Sequence, residues 1–258
     1  MYYPEAMARA TGSQLARRNI RRAYNALRKI RAGLRLFGEN ISPEIQNDLY
    51  VAHLSIYRFF STFTVGASVL DIGCGCGYGT HFLAEHGANR AVGFDLDEKN
   101  IKYAQNRFRH PALEYMVANA ETLGSLDTRF DLIVSSNLFE HLFDVHAALR
   151  AVQRNLLPNG TFALAVPPIY DAASLAANQL IPYHRTNLYI AEWLATLQGY
   201  FGSVEMLDQI VPDGINLDFA DPFPSRVETA SFEFRTRTTT IPARGTIGAV
   251  FLSRFPKQ

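Results

Sequence analysis

Four glycines alternate with other residues directly after a short β-rich run: Ser68-Val69-Leu70-Asp71-Ile72 leads into Gly73-Cys74-Gly75-Cys76-Gly77-Tyr78-Gly79. Glycine admits left-handed backbone angles and lets the main chain approach a ligand closely, so a strand that ends in such a loop and feeds a helix makes a ligand-cradling turn. Spacing limits which ligand. The dinucleotide fingerprint G-x-G-x-x-G would need glycine at Tyr78 counted from Gly73, or at Thr80 counted from Gly75. A Walker loop would need Gly-Lys-Ser/Thr, which does not follow. Asp71 at the strand end would repel a phosphate and suits a ligand carrying ammonium or sulfonium charge.

From this point the chain alternates short β-rich runs with helical ones, the pattern of a doubly wound α/β fold. Residues 68–72, 91–95, 113–117, 130–135 and 161–166 read as buried parallel strands, with helices over 97–108 and 144–156 and a turn at Pro158-Asn159-Gly160. A helix over 187–199 holds the only tryptophan, Trp193, and strands follow near 203–210 and 246–253, with an irregular stretch over 212–226. Seven strands, mostly parallel, are therefore predicted in one α/β sheet. With 258 residues the chain can bury roughly three quarters of its unfolded surface, and 48% apolar with 12% aromatic residues excludes a disordered chain. We expect an N-terminal helical extension over 1–62 and a single ligand-binding domain over 63–258. Cys74 and Cys76 are the only cysteines, which excludes a disulfide framework and a four-cysteine zinc site and makes a reducing, cytoplasmic setting the expectation. No transmembrane span or secretory leader is read.

The segment Val69 to Thr80 closely resembles motif I of the class I S-adenosylmethionine-dependent methyltransferases, a Rossmann-like fold. The later segments follow in the same order. Val92-Gly93-Phe94-Asp95 resembles the second-strand motif whose acid holds the ribose hydroxyls, and Asp95 stands twenty residues beyond Gly75. Asn119-Ala120-Glu121 resembles the third-strand motif that touches adenine, with Asn119 where the family usually has Asp. Phe130 to Asn137 with Glu140-His141 resembles the fourth strand and its loop, and Leu156 to Thr161 the turn into the fifth. The resemblance implies S-adenosylmethionine as cofactor, held by Asp71, Gly73, Gly75, Gly77, Tyr78, Asp95, Leu96, Asn119, Ala120, Glu121, Asn137 and Tyr57. His53 and Tyr57, four apart, share a helix face; packing and contact with the methionine end of the cofactor are both open to them. The cysteines read as small packing residues.

His141 follows the fourth strand at the carboxyl edge of the sheet, where open α/β sheets place ligands, and an imidazole can take a proton from a hydroxyl. His184 in Pro182-Tyr183-His184-Arg185 is the second candidate base; the alternatives are an orienting role for His141 and a solvated loop position for His184. The expected reaction is methylation of a small-molecule hydroxyl, on a sugar, quinone, phenol or polyketide. No metal is expected, because Asp144 and Asp171 alone make a thin case for magnesium. Residues 1–38 carry net charge +8 on an amphipathic helix candidate, against −7 in the rest. A packed cap, an anionic-surface or nucleic-acid contact, and a transit peptide are the readings of that segment, and no nucleic-acid partner is expected. An N-methyltransferase acting on nucleic acid and a noncatalytic cofactor-binding subunit are the rival functions.

Overall fold

The computed structural model describes residues 41–257 apart from Ser42, Ile45, 220–222 and Thr240. The basic segment over 1–38 lies outside the described residues. The first helix, α1 (Asp48–Phe60), is capped by Asn47, whose side chain accepts from Tyr50 N at 3.1 Å. It is followed by β1 (Ser68–Ile72), α2 (Tyr78–Glu85), β2 (Arg90–Asp95), α3 (Glu98–Arg107), β3 (Leu113–Val117) and β4 (Phe130–Ser136). Then come α4 (Val145–Asn155), β5 (Leu156–Val166), α5 (Ala172–Gln179), α6 (Ile190–Tyr200), β6 (Phe201–Ile210), β7 (Glu233–Thr236) and β8 (Thr246–Pro256).

All strands join one sheet in the order β3-β2-β1-β4-β5-β8-β6-β7. The seven predicted strands are present, β1 to β5 parallel, and β8 is inserted antiparallel between β5 and β6. The eighth, β7, is a short edge strand paired with β6 that carries mostly exposed polar residues. Its four residues lack an apolar run, which is why the sequence pattern does not announce it. The predicted turn at Pro158-Asn159-Gly160 lies within β5: the pairing passes from Phe130↔Leu156 to Leu132↔Thr161, so this turn is a bulge that loops out of an otherwise continuous ladder.

The period of two explains the layers. Val69, Leu132 and Val134 face a cluster with Ile56, Tyr57, Phe60 and Leu83 from α1 and α2. Leu70, Ile72 and Ile133 face the other, with Leu149, Val152, Trp193 and Leu197 from α4 and α6. α1 is thus part of the domain core. Burying a side chain such as Phe60, which is fully inaccessible, is worth about 1.5–3 kcal/mol. The chain runs out to the sheet edge through β1, β2 and β3 and then returns to place β4 beside β1, which opens a crevice at the carboxyl ends of β1 and β4.

Candidate functional site

That crevice is a cleft of about 540 Å³ lined by the loop after β1, the end of β2, the end of β4 and the loop before α6. Three backbone positions in the first loop have left-handed angles, Gly73 at φ +76°, Gly75 at +55° and Gly77 at +87°. They differ in what glycine leaves room for. A Cβ at Gly73 would strike Leu138, and one at Gly77 would strike Ala104 and Tyr115, so both are packing positions. A Cβ at Gly75 would meet nothing within 4 Å, because it would point into the cleft. This is a cradle that a side chain would fill. Gly79 is glycine for a further reason: the Tyr57 ring lies against it and fixes α1 to the start of α2.

Asp95 ends β2 at the cleft. One carboxylate oxygen accepts from Gly75 N at 3.0 Å, and the other from Asp97 N at 2.8 Å and Asn100 Nδ2 at 3.3 Å. A carboxylate has about four acceptor positions, so one remains for a ligand hydroxyl. Asp97 performs the helix capping, accepting from Lys99 N at 2.8 Å, which leaves Asp95 for the site. The acid, the open Gly75 and the neighbouring Leu96 form an acceptor-bearing end suited to a ribose, which fits the cofactor the sequence implies.

At the other end, β4 finishes at Asn137, held at φ +53°, a left-handed angle that asparagine tolerates. Its amide nitrogen lies 3.3 Å from His53 Nδ1 on α1. His53 stays neutral, pushed down to about 4 by burial. A 3₁₀ turn over Phe139–His141 follows. His141 lines the cleft together with Tyr183 and Arg185 from the loop before α6, and its ring meets that of His184 edge-on with centroids 4.8 Å apart. Two backbone hydrogen bonds fasten this loop to the turn: Arg185 N and Thr186 N donate to the Glu140 carbonyl at 2.8 and 2.9 Å.

The tautomers follow from partners that can only accept. His141 Nδ1 lies 3.2 Å from the Tyr183 carbonyl and must carry the proton. Asn187 donates its amide to the His184 carbonyl at 3.1 Å, so its oxygen accepts from Asn178 Nδ2 at 2.7 Å. That turns Asn178 Oδ1 toward His184 Nδ1 at 2.9 Å, which must also be protonated. In the neutral form of either ring, Nε2 carries the lone pair. His184 is held neutral, down to about 4, by burial and by the adjacent His141.

Of the residues expected at the site, Gly73, Gly75, Tyr78, Tyr57, Asp95, Leu96, Asn137 and His141 line this one cleft. Six others are not among the residues that line it. Asp71 is fully buried, accepting from Thr80 at 2.6 Å and Tyr57 at 3.2 Å, and burial raises its carboxyl to about 7, so it braces the loop. Gly77 serves packing, as described. Asn119 accepts from Glu121 N at 2.8 Å, closing a turn that buries Ala120. Glu121 accepts from Phe143 N and from Asp144 N, the latter at 2.7 Å, and so ties down the loop after His141. His184 reaches the site through His141. Cys74 and Cys76 are buried, and burial pushes their thiols up, Cys76 to about 11. Arg185, Phe143 and Asn100 were not foreseen. Arg185 follows His184 directly, and Asn100 lies five residues past Asp95 on the first turn of α3, so proximity in sequence to a singled-out residue was their one signal.

A family model described as a methyltransferase domain matches residues 70–164. A protein of Mycolicibacterium smegmatis, described as a probable S-adenosylmethionine-dependent methyltransferase, is 29% identical over 169 residues, covering 65% of each chain. The ubiquinone biosynthesis O-methyltransferase of Rhizobium etli is 32% identical over 114 residues, 43% of this chain and 46% of its own. This chain spans less than two thirds of the length of these relatives. Among solved structures, a SAM-dependent methyltransferase of Thermotoga maritima superposes with TM-score 0.60 at 14% identity, over 80% of this chain and 90% of that one. The phosphoethanolamine N-methyltransferase 2 of Haemonchus contortus, solved with S-adenosyl-L-methionine, superposes with TM-score 0.51 at 22% identity, over 60% and 38%. At such identities the structural likenesses speak for the fold alone.

Proposed function

For a chain that belongs to the class I S-adenosylmethionine-dependent methyltransferases, we propose the transfer of a methyl group to a hydroxyl of a small molecule. When bound, S-adenosylmethionine supplies a methyl group already activated on a sulfonium. The chain's own task is then to bind, align and handle one proton. Asp95 and the open face at Gly75 hold the ribose end. Tyr57, Tyr78 and Asn137 line the stretch between that end and the histidines. The acceptor hydroxyl sits beside His141, Tyr183 and Arg185. A lone pair on Nε2 of His141 receives its proton, while the Tyr183 carbonyl holds the Nδ1 proton in place.

The observation that carries this reading is that one continuous cleft has an acceptor-rich end at Asp95 and an imidazole end at His141. The test is calorimetry with S-adenosylmethionine, followed by radiolabelled methyl transfer to phenols, quinones, sugars and nucleic acids. Asp95→Asn keeps the size of the side chain and removes one charged acceptor, a bond worth about 1.5–3 kcal/mol, so cofactor affinity should fall roughly 10- to 150-fold. Label entering only nucleic acid, or no acceptor at all, would move one of the two rival functions ahead.

A further inference from the structure

We propose that Glu140, His141 and His184 bind one divalent cation of the zinc class at the wall of the cleft. One ligand atom from each side chain lies within 4.8 Å of the others. A tetrahedral zinc site needs about 3.4 Å between ligand atoms, given bonds of about 2.0–2.1 Å, so side-chain rotations of about an ångström would close the set. The framework that brings the three together is already fastened, by the hydrogen bonds from Arg185 N and Thr186 N to the Glu140 carbonyl.

The second observation is orientation. A metal-ligating histidine almost always donates its other ring N–H to a carbonyl or carboxylate, which fixes the tautomer. Both histidines do so, to the Tyr183 carbonyl at 3.2 Å and to Asn178 Oδ1 at 2.9 Å. Two imidazoles with a carboxylate suit Zn(II), Co(II), Ni(II) or Fe(II), whereas Mg(II) and Ca(II) take oxygen ligands. The set is built mainly of nitrogen and brings together residues more than forty positions apart, so no carboxylate cluster in the sequence marks it. Glu140 is 2% exposed and supplies the anionic ligand from beneath, while His141 borders the cleft, so a fourth position opens toward the acceptor.

For the reaction, the inference rests on the proposed methyl transfer and revises how the histidines serve it. With the cation bound, both Nε2 lone pairs are engaged, and the cation acidifies a hydroxyl that it holds. Metal binding itself is measured without methyl donor or acceptor, so the two readings fail separately. Untagged, chelator-stripped protein is titrated with Co(II), followed by visible absorption, and with Zn(II), followed by calorimetry. One cation per chain is expected, with the intense visible bands of a four- or five-coordinate site. His141→Ala and His184→Ala should each weaken it roughly 100-fold with an unchanged far-ultraviolet spectrum, and Cys76→Ser should leave it as it is. Glu140→Gln alters a buried group and is read only if folded; His184→Ala, on a loop, decides the matter. Failure of the wild type to take up either metal, or wild-type affinity in His184→Ala, would overturn the proposal.

Discussion

His53 is a neutral imidazole whose affinity for protons falls on folding, from about 6.5 in an unfolded chain to about 4. As pH drops below 6.5 the unfolded chain takes up a proton that the folded one refuses, so stability is full above that value and is lost progressively toward pH 4. His53→Gln removes this proton-linked loss. Thermal midpoints measured between pH 7 and 4.5 should fall less steeply in the variant, and parallel slopes would sever His53 from the acid sensitivity. At this scale the sequence was informative where spacing alone decides the matter, as at Asp95 and Gly75. Spacing does not place a side chain whose partner comes from far along the chain. Asp71 lies behind the cleft because Tyr57, fourteen residues earlier, takes one of its oxygens. Glu121 is drawn away by backbone amides 22 and 23 residues on.

Glycines within one loop should respond differently to the same change. Gly75→Ala adds a methyl group to open space at φ +55°, costing about 1–2 kcal/mol of left-handed strain while obstructing the cleft. Gly79→Ala drives a methyl group into the Tyr57 ring and loosens α1 from α2, an overpacking cost of about 1–3 kcal/mol. We expect the first variant to lose S-adenosylmethionine binding with a small drop in melting temperature, and the second to lose stability first. Paired calorimetry and thermal melts measure both. The elements with clear periodicity, such as β1, β4, α3 and α4, could be read in advance. The short α5 and β7 could not: α5 buries only Asn178 and is marked by its Asp171–Ser174 capping box, and β7 is a four-residue, mostly exposed polar strand.

For the whole molecule, charge is divided along the chain: +8 over residues 1–38 and −7 beyond. If that segment serves as a cap and not as a phosphate reader, labelled DNA and RNA should bind weakly at moderate salt, since each phosphate contact releases counterions and would make affinity fall steeply with ionic strength. Tight, strongly salt-dependent binding in a fluorescence titration would instead favour the nucleic-acid reading. Alternating runs along the chain do not reveal that β8 enters between β5 and β6, because that pairing joins segments some eighty residues apart. This insertion has a consequence for biosynthesis. β5 ends at Val166 and its neighbour β8 begins only at Thr246. A ribosome adding about 5–20 residues per second takes roughly 4–16 s to cover that interval. During that time the apolar Phe162 and Leu164 lie on a strand with one unpaired edge. The nascent chain therefore has a long vulnerable interval between β5 and β8, after the segment carrying the glycine loop has been made.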